Sequence, residues 1–210
     1  MIAANREHEL EDAHVSTTPD PQGSALRTEP GLTDPGTPTA AAGDGDAVVI
    51  RGAVGDDLAG VLSVGHRTWL ATYEPIAGPE YVAMGLAKWW TSDVVTDSIR
   101  KGRTLVAVEG DDVVGVATFG PQDDAFVLWK LYVLPGHHGR GIGTRLLGAV
   151  VERALESEHP RITLSYLEGN QQAARFYVRH GFTETHRETP GSGLPESVWM
   201  VRELDAGEPS

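Results

Sequence analysis

The run AFVLWKLYVLP, residues 125–135, is almost continuously apolar, and a glycine-rich turn and an apolar helix follow it directly. A strand this apolar is typical of the centre of a sheet, where both faces are covered. Pro135 ends the strand, and apolar spacing predicts a helix over 141–156. Unpaired amides and the positive end of the helix dipole meet at the turn between them. The turn therefore predicts an anion-binding site.

Further strand and helix signals lie on both sides of this turn. Strand patterns cover 47–54, 104–109, 112–120, 161–169, 182–188 and 197–204, and helical spacing covers 58–73, 80–100 and 170–180. We expect the first helix to end before Pro75, and Gly181 to close the last one. The order is one strand, two helices, three strands, helix, strand, helix and two strands. It predicts an α/β fold, with a mixed sheet of about seven strands in one domain.

The first 47 residues differ in composition from the rest. They contain no Phe, Trp or Tyr but five Pro and five Gly, and their net charge is −7 of the chain's −13. So polar a segment buries too little apolar surface to offset the entropy of ordering it. We expect a disordered acidic tail over 1–47, a folded domain over 48–205 and a short tail over 206–210. The acidic balance argues against nucleic acid as a partner.

Other classes are also disfavoured. There is no cysteine, which excludes disulfides, thiolate metal sites and a thiol nucleophile. The neighbours His137 and His138 have no third ligand at metal-binding spacing, so we expect no metal. The N-terminal stretch lacks the apolar core of a signal peptide, and no apolar run reaches the roughly 20 residues of a membrane span. We expect a cytoplasmic protein without a membrane partner.

The spacing of the glycines restricts which anion the turn holds. A nucleotide-binding P-loop needs Gly-x-x-x-x-Gly-Lys-Ser/Thr, but no lysine follows Lys130. The dinucleotide fingerprint Gly-x-Gly-x-x-Gly fails in both registers, because Thr144 and Leu146 stand at the last position. The turn instead has alternating glycines at Gly139, Gly141 and Gly143. A kinase-like phosphate site is therefore disfavoured.

Two segments resemble the GCN5-related N-acetyltransferase (GNAT) superfamily. LYVLPGHHGRGIGTRLLGAV, residues 131–150, is similar to its strand, Gln/Arg-x-x-Gly-x-Gly/Ala loop and helix, with His138 at the Gln/Arg position. NQQAARFYVRHGF, residues 170–182, matches Asn-x-x-Ala-x-x-x-Tyr-x-x-x-Gly-Phe. The resemblance extends over about 48–205. It implies about seven mostly antiparallel strands with a central splay, and about four flanking helices.

The resemblance also implies a function. We expect the acetyl group of acetyl-CoA to pass to an amine, on a small molecule or a protein N-terminus or lysine, by direct attack in a ternary complex. Backbone groups of Leu131 and Val133 would pair with pantetheine, while the Tyr132 side chain lies on the opposite face. The other implied cofactor-binding residues are His138, Gly139, Arg140, Gly141, Ile142, Gly143, Thr144 and Asn170, with the loop holding the pyrophosphate.

The same resemblance makes Tyr177 the general acid that protonates the leaving thiolate. The base stays open between Asp123, Asp124, Glu74, His66, Glu168 and a chain of water molecules. Candidates for the acceptor wall are Trp69, Tyr73, Glu74 and Trp89, of which we expect at least two to be core residues instead. The acidic surface favours a cationic acceptor, and the expected state is a monomer or homodimer.

A non-catalytic acyl-CoA-binding or sensor domain is the alternative. It would keep the glycine turn and lose turnover. The presence of both Asn170 and Tyr177 favours the enzyme. Acetylation of a panel of amines separates the two functions.

Overall fold

A seven-stranded sheet of order β1-β2-β3-β4-β5-β7-β6 organises the computed structural model, which describes residues 47–189, 191 and 194–204. All neighbouring strands are antiparallel except β4 and β5, which are parallel. The strands are β1 (Val49–Gly52), β2 (Thr104–Glu109), β3 (Asp112–Gln122), β4 (Ala125–Val133), β5 (Arg161–Leu167), β6 (Thr183–Glu188) and β7 (Ser197–Glu203). The predicted α/β class, strand number and central place of the apolar run are confirmed.

Four helices cover the sheet. They are α1 (Leu58–Trp89), α2 (Ser92–Arg100), α3 (Ile142–Glu156) and α4 (Gln171–Arg179). Tyr132 and Val133, neighbours on β4, show that the helices lie on both faces. The Tyr132 ring packs on Trp90 at the end of α1, with 5.6 Å between ring centroids, whereas Val133 lies under Gly143 of α3. Because successive strand side chains alternate, α1 and α3 cover opposite faces.

The sequence predicted that the first helix ends before Pro75, and this prediction is wrong. The helix continues through Pro75 to Gly78, whose φ of 83° and ψ of 170° are not helical. Pro79 then begins the second half of α1, a position where the missing amide hydrogen removes no helical bond. The single helix predicted over 80–100 is also divided, since α1 ends at Trp89 and Thr91 caps α2 by accepting from the Val94 amide at 3.3 Å.

The two halves of α1 pack tightly against each other. Trp69 in the first half is fully buried and lies over Gly85 in the second, where an added Cβ would come within 1.8 Å of the indole ring. Tyr73 is fully buried too, with its ring centroid 4.8 Å from that of Trp69. The break at Gly78 thus folds α1 back so that aromatic side chains of both halves share one cluster.

The predicted tails lie outside the described residues, except for Ala47. Within the described part of the chain, no helix combines the length and the apolar character that crossing a bilayer requires. At the start of the domain, Val48 is buried, and its carbonyl accepts a hydrogen bond of 2.8 Å from Arg145 on α3. The fold is therefore tied to α3 from the first described residues.

Candidate active site

The sheet opens on one side of β4. β3 pairs with β4 along its whole length, from Ala125 to Val133. On the other side, β5 pairs with β4 only at Phe126 and Val127. The rest of that edge, up to Val133, has no strand partner in the described sheet. This gap between β4 and β5 is the central splay that the sequence predicted.

A bulge lies where the gap begins. Thr118 of β3 pairs with Lys130 and the adjacent Phe119 with Leu128, so Trp129 is an extra residue on β4. A bulge of this kind bends its strand and increases the local twist. The bend begins two residues beyond Val127, where pairing with β5 stops, and it gives a physical reason for the separation of the two strands.

The hydrogen-bond pattern shows which backbone groups face the gap. The Leu134 amide donates to the Val114 carbonyl of β3 at 2.9 Å. In an antiparallel ladder, alternate residues direct their backbone groups to the same neighbour, so Tyr132 also faces β3. Leu131 and Val133 therefore direct their amides and carbonyls into the gap. These are the two residues that the sequence proposed for pairing with pantetheine.

The glycine turn leads from β4 to α3 through left-handed backbone. Gly139 has a φ of 78° and Gly141 one of 75°, and nothing lies within 4 Å of an added Cβ at either position. No side chain caps α3, whose first helical bond runs from the Arg145 amide to the Gly141 carbonyl at 3.0 Å. The amides of the first turn of α3, those of Ile142, Gly143 and Thr144, are left for another acceptor.

Two side chains of the turn are held by Glu109 at the end of β2. The carboxylate accepts from His137 Nε2 at 3.0 Å and from the Arg140 guanidinium at 3.1 Å. The guanidinium lowers the pKa of Glu109, with a smaller contribution from His137. The side chain of Arg140, a predicted cofactor residue, is thus directed to β2. Arg140 can then bind an anion through its backbone amide.

His138 turns back towards the gap. Its Nε2 lies 2.8 Å from the Val133 carbonyl and donates to it. The ring thereby occupies one lone pair of an acceptor that faces the gap. A carbonyl oxygen has two lone pairs, so Val133 retains a site for a second donor.

The predicted acid, Tyr177, lies on α4 with its side chain fully buried. Its ring packs against Phe176 and Phe182, with centroids 5.4 and 5.3 Å away. Within the described residues its hydroxyl has no hydrogen-bond partner, and burial raises its pKa well above the usual value. A buried hydroxyl without a partner costs about 1–3 kcal/mol of stability, and it leaves a donor that a ligand could accept from.

Asn170, another predicted cofactor residue, is the N-cap of α4. Its side-chain oxygen accepts a hydrogen bond from the Ala173 amide at 3.1 Å. This contact fixes the beginning of the helix that carries Tyr177. In the structure Asn170 therefore acts locally on α4.

Tyr132 is a site residue for which sequence reasoning found no role. Its hydroxyl lies 3.4 Å from that of Tyr73, and both side chains are buried. Burial raises the pKa of Tyr132 well above its usual value, and the charges that Tyr177 and Tyr81 would carry when ionised raise it further. The hydroxyls of Tyr132 and Tyr177, from β4 and α4, thus lie near enough to interact electrostatically. Alternation on β4 predicted the face of Tyr132 but not this neighbour.

The predicted acceptor residues lie in different environments. Trp69 and Tyr73 are fully buried, whereas Glu74 is exposed. The Tyr73 hydroxyl lies 3.4 Å from that of Tyr132 on β4. Trp69 and Tyr73 are core residues, and Trp89 is half-buried at the end of α1.

The candidate bases are also separated. Asp123 and Asp124 lie in the β3–β4 turn, at least seven residues from Leu131, which is roughly 23 Å along a strand. Asp124 is paired with Arg161 at 2.6 Å, and Glu168 with Arg187 at 2.8 Å. His66 and Glu74 are exposed on α1. Asp123 and Asp124 are too far along β4 to act at the gap.

No group of three or more metal-ligand side chains occurs among residues 47–189, 191 and 194–204. The groups that converge beside β4 are instead of three kinds. They are the free amides at the start of α3, the donors and acceptors that face the gap from Leu131 and Val133, and the buried hydroxyl of Tyr177. This set fits an anionic ligand that continues into a chain of amides and ends in a group needing a proton.

The model of the Acetyltransferase (GNAT) family matches residues 54–182, which include β4, the glycine turn and Tyr177. The chain belongs to this family. An uncharacterised N-acetyltransferase of Mycobacterium bovis is 34% identical over 158 residues, which cover 71% of this chain and 97% of that protein. The family assignment made from the two sequence motifs is confirmed.

Solved structures of GNAT acetyltransferases share the fold. The PaiA N-acetyltransferase of Thermoplasma acidophilum, in complex with coenzyme A, has a TM-score of 0.68 at 20% identity, covering 75% of this chain and 99% of its own. A ribosomal-protein-alanine N-acetyltransferase of Brucella melitensis has a TM-score of 0.59 at 24% identity, covering 74% and 99%. These similarities show that the splayed sheet is the GNAT fold.

Proposed function

We propose that this GNAT protein transfers an acetyl group from acetyl-CoA to an amine by direct attack in a ternary complex. The observation that carries the proposal is the buried, unpartnered Tyr177 hydroxyl on a helix that borders the opened sheet. Acyl transfer from a thioester needs a donor for the departing thiolate. Burial raises the pKa of Tyr177, so its phenol carries a proton at neutral pH and has one to donate.

Acetyl-CoA supplies the reactive thioester, and the residues of the chain bind and orient it. The free amides at the start of α3 bind the pyrophosphate, because a helix N-terminus combines free donors with the positive end of the helix dipole. The gap-facing groups of Leu131 and Val133 pair with the amides of pantetheine as a neighbouring strand would. The Val133 amide then lies where it can polarise the carbonyl of the thioester. The coenzyme A complex of the Thermoplasma acidophilum protein supports this class of ligand.

The acceptor must lose a proton before it attacks, since an amine with a pKa near 10 is protonated at neutral pH. Glu168, which follows β5, forms a carboxylate group with Glu184 of β6 and Glu196, which precedes β7, around Arg187 of β6. Three carboxylates against one guanidinium leave an excess of negative charge there. That excess favours an acceptor that arrives as a cation.

The test is an acetylation assay with acetyl-CoA against polyamines, amino acids, aminoglycosides and peptide N-termini. Release of free coenzyme A thiol is measured, with mass spectrometry of each acceptor. Turnover of at least one amine supports the proposal. Tight binding of acetyl-CoA without turnover of any amine would instead favour an acyl-CoA sensor, and failure to bind acetyl-CoA would contradict both functions.

A further inference from the structure

His180 connects the glycine turn to the helix that carries Tyr177. It follows α4 directly, and its ring packs against that of Phe176 at a tilt of 37°, with 4.2 Å between centroids. Its Nε2 lies 3.1 Å from the Thr144 hydroxyl, in the first turn of α3. Thr144 is exposed and precedes the first helical hydrogen bond of α3. The contact therefore spans 36 residues of sequence, between the proposed phosphate end of the site and its acid.

The second ring nitrogen determines the direction of these hydrogen bonds. His180 Nδ1 lies 2.7 Å from the Phe176 carbonyl, which only accepts, so Nδ1 carries a proton. In the neutral ring Nε2 has none and accepts from the Thr144 hydroxyl. In the protonated ring Nε2 donates instead, and the Thr144 hydroxyl is released to donate elsewhere. Protonation of His180 therefore frees the Thr144 hydroxyl hydrogen to bond an acceptor other than the ring.

The charged neighbours of His180 make this change sensitive to an anion. Arg179 precedes it on α4, and the Arg202 side chain of β7 reaches within 3.8 Å of an added Cβ at Gly181, the next residue. Both are permanent cations, whereas the Arg145 guanidinium beside Thr144 is directed to the Val48 carbonyl. The histidine ion pairs in the described part of the chain involve His137 and His186, not His180. A phosphate that arrives beside the ring favours its protonated form.

We propose that the Thr144–His180 pair couples the binding of the cofactor pyrophosphate to the uptake of a proton by His180. The inference rests on the proposed binding of acetyl-CoA. The charged ring then donates to the Thr144 oxygen, and the released Thr144 hydroxyl donates to the phosphates. His180 is a positioning residue, because it acts on the phosphates through Thr144 and holds α4 against α3.

The probe for the test is acetyl-dephospho-CoA. It keeps the pyrophosphate but lacks the 3′-phosphate monoester, whose own second titration near pH 6 would obscure that of the protein. Its acetylated sulfur does not titrate either. Calorimetry at pH 7 in two buffers of different ionisation enthalpy counts the protons taken up on binding, and titrations from pH 8 to pH 6 give the dissociation constant.

For the wild-type protein we expect proton uptake and a dissociation constant that falls by about fivefold from pH 8 to pH 6, within the tenfold per pH unit that one linked proton permits. His180→Gln keeps an amide that can bond Thr144 but does not titrate. It should bind the probe without uptake, and its dissociation constant should change less than about twofold over the same range.

Thr144→Val is the second variant, since Thr144 is exposed and its replacement leaves the core intact. It should lose most of the uptake, and Thr144→Ser should restore it. The control is His186→Asn, on the edge strand β6, where His186 stacks on Trp199. That variant should behave as the wild type does.

Binding without uptake in the wild type, or equal uptake in the wild type and His180→Gln, would overturn the coupling and leave the proposed function intact. Uptake that persists in Thr144→Val would overturn the part assigned to Thr144. Failure of the wild type to bind acetyl-CoA and the probe at every pH would overturn the proposed function, and this inference with it.

Discussion

At the scale of single residues, loss of the Tyr177 hydroxyl should affect stability and catalysis in different ways. Its hydroxyl is buried without a partner among the described residues. Tyr177→Phe should therefore leave the free energy of unfolding unchanged or raise it by up to about 1 kcal/mol, because no unpaired polar group remains buried. Turnover should fall by about 10²–10⁴-fold, as for loss of a general acid. Denaturant unfolding and steady-state kinetics with an accepted amine measure the two effects.

Tyr81→Phe is the matched control. Tyr81 is a half-buried tyrosine, and burial raises its pKa to about 12. It has no part in the proposed chemistry, so this variant should keep wild-type turnover. Full activity of Tyr177→Phe would remove Tyr177 from the mechanism without changing the family of the protein.

Gly141 offers a test of the anion site. Gly141→Glu places a carboxylate beside the proposed pyrophosphate, and we expect the dissociation constant of acetyl-CoA to rise by about 100-fold or more. The left-handed φ of 75° adds about 1–2 kcal/mol of strain for any side chain. Gly141→Ala carries that strain without the charge and should weaken binding much less. Calorimetry on both variants gives the comparison.

Gly148→Glu provides the charge control for this test. Gly148 is exposed on α3, with nothing within 4 Å of an added Cβ. It adds the same charge to the same helix, two turns from the glycine loop. Wild-type affinity in Gly148→Glu and in Gly141→Glu alike would mean that the loop does not hold the phosphates.

At the scale of elements, the return of α1 on itself depends on a glycine. Gly85→Ala would place a methyl group within 1.8 Å of the Trp69 ring. We expect a loss of about 1–3 kcal/mol from overpacking, or roughly 3–10 °C in melting temperature. Gly148→Ala, in an open helical position, should instead add about 0.5–1 kcal/mol. Thermal unfolding of both variants tests the packing, and an unchanged melting temperature in Gly85→Ala would contradict it.

The order and type of the elements were predictable because their signals are local. Alternation and apolar runs identify the strands, and the glycine turn identifies the start of α3. The course of α1 was predicted wrongly at Pro75. A proline interrupts few helical bonds, and packing of the two halves of α1 outweighed that loss. Gly78, which supplies the positive φ, is where the helix breaks.

The site was predictable to a lesser degree. The free amides at the start of α3 and the gap-facing groups of β4 could be predicted from local sequence pattern and family resemblance. The contacts that orient them were not predictable, because each joins residues far apart in the chain. Glu109 meets Arg140 across 31 residues and Tyr73 meets Tyr132 across 59. Side-chain contacts at such separations depend on the assembled sheet.

At the scale of the whole molecule, residues 1–46 carry much of the net charge and no aromatic side chain. A variant that begins at Ala47 should keep the melting temperature within about 2 °C and turnover within about twofold, because so polar a segment has few apolar anchors. Differential scanning calorimetry and the amine assay compare it with the full chain. A large loss of either property would show that the segment contacts the domain.

The gap beside β4 should also affect how the two sides of the sheet open to solvent. Within the described sheet, strands β1–β4 are paired with strands β5–β7 at only two positions, Phe126 and Val127. Amide hydrogens at the centre of a sheet are ordinarily among the last to exchange with solvent deuterium. Those of Leu131 and Val133 should exchange early in spite of their central position, and slow sharply once acetyl-CoA is added. The two leaves of the sheet would then open independently when empty and as one cooperative unit when bridged by the ligand.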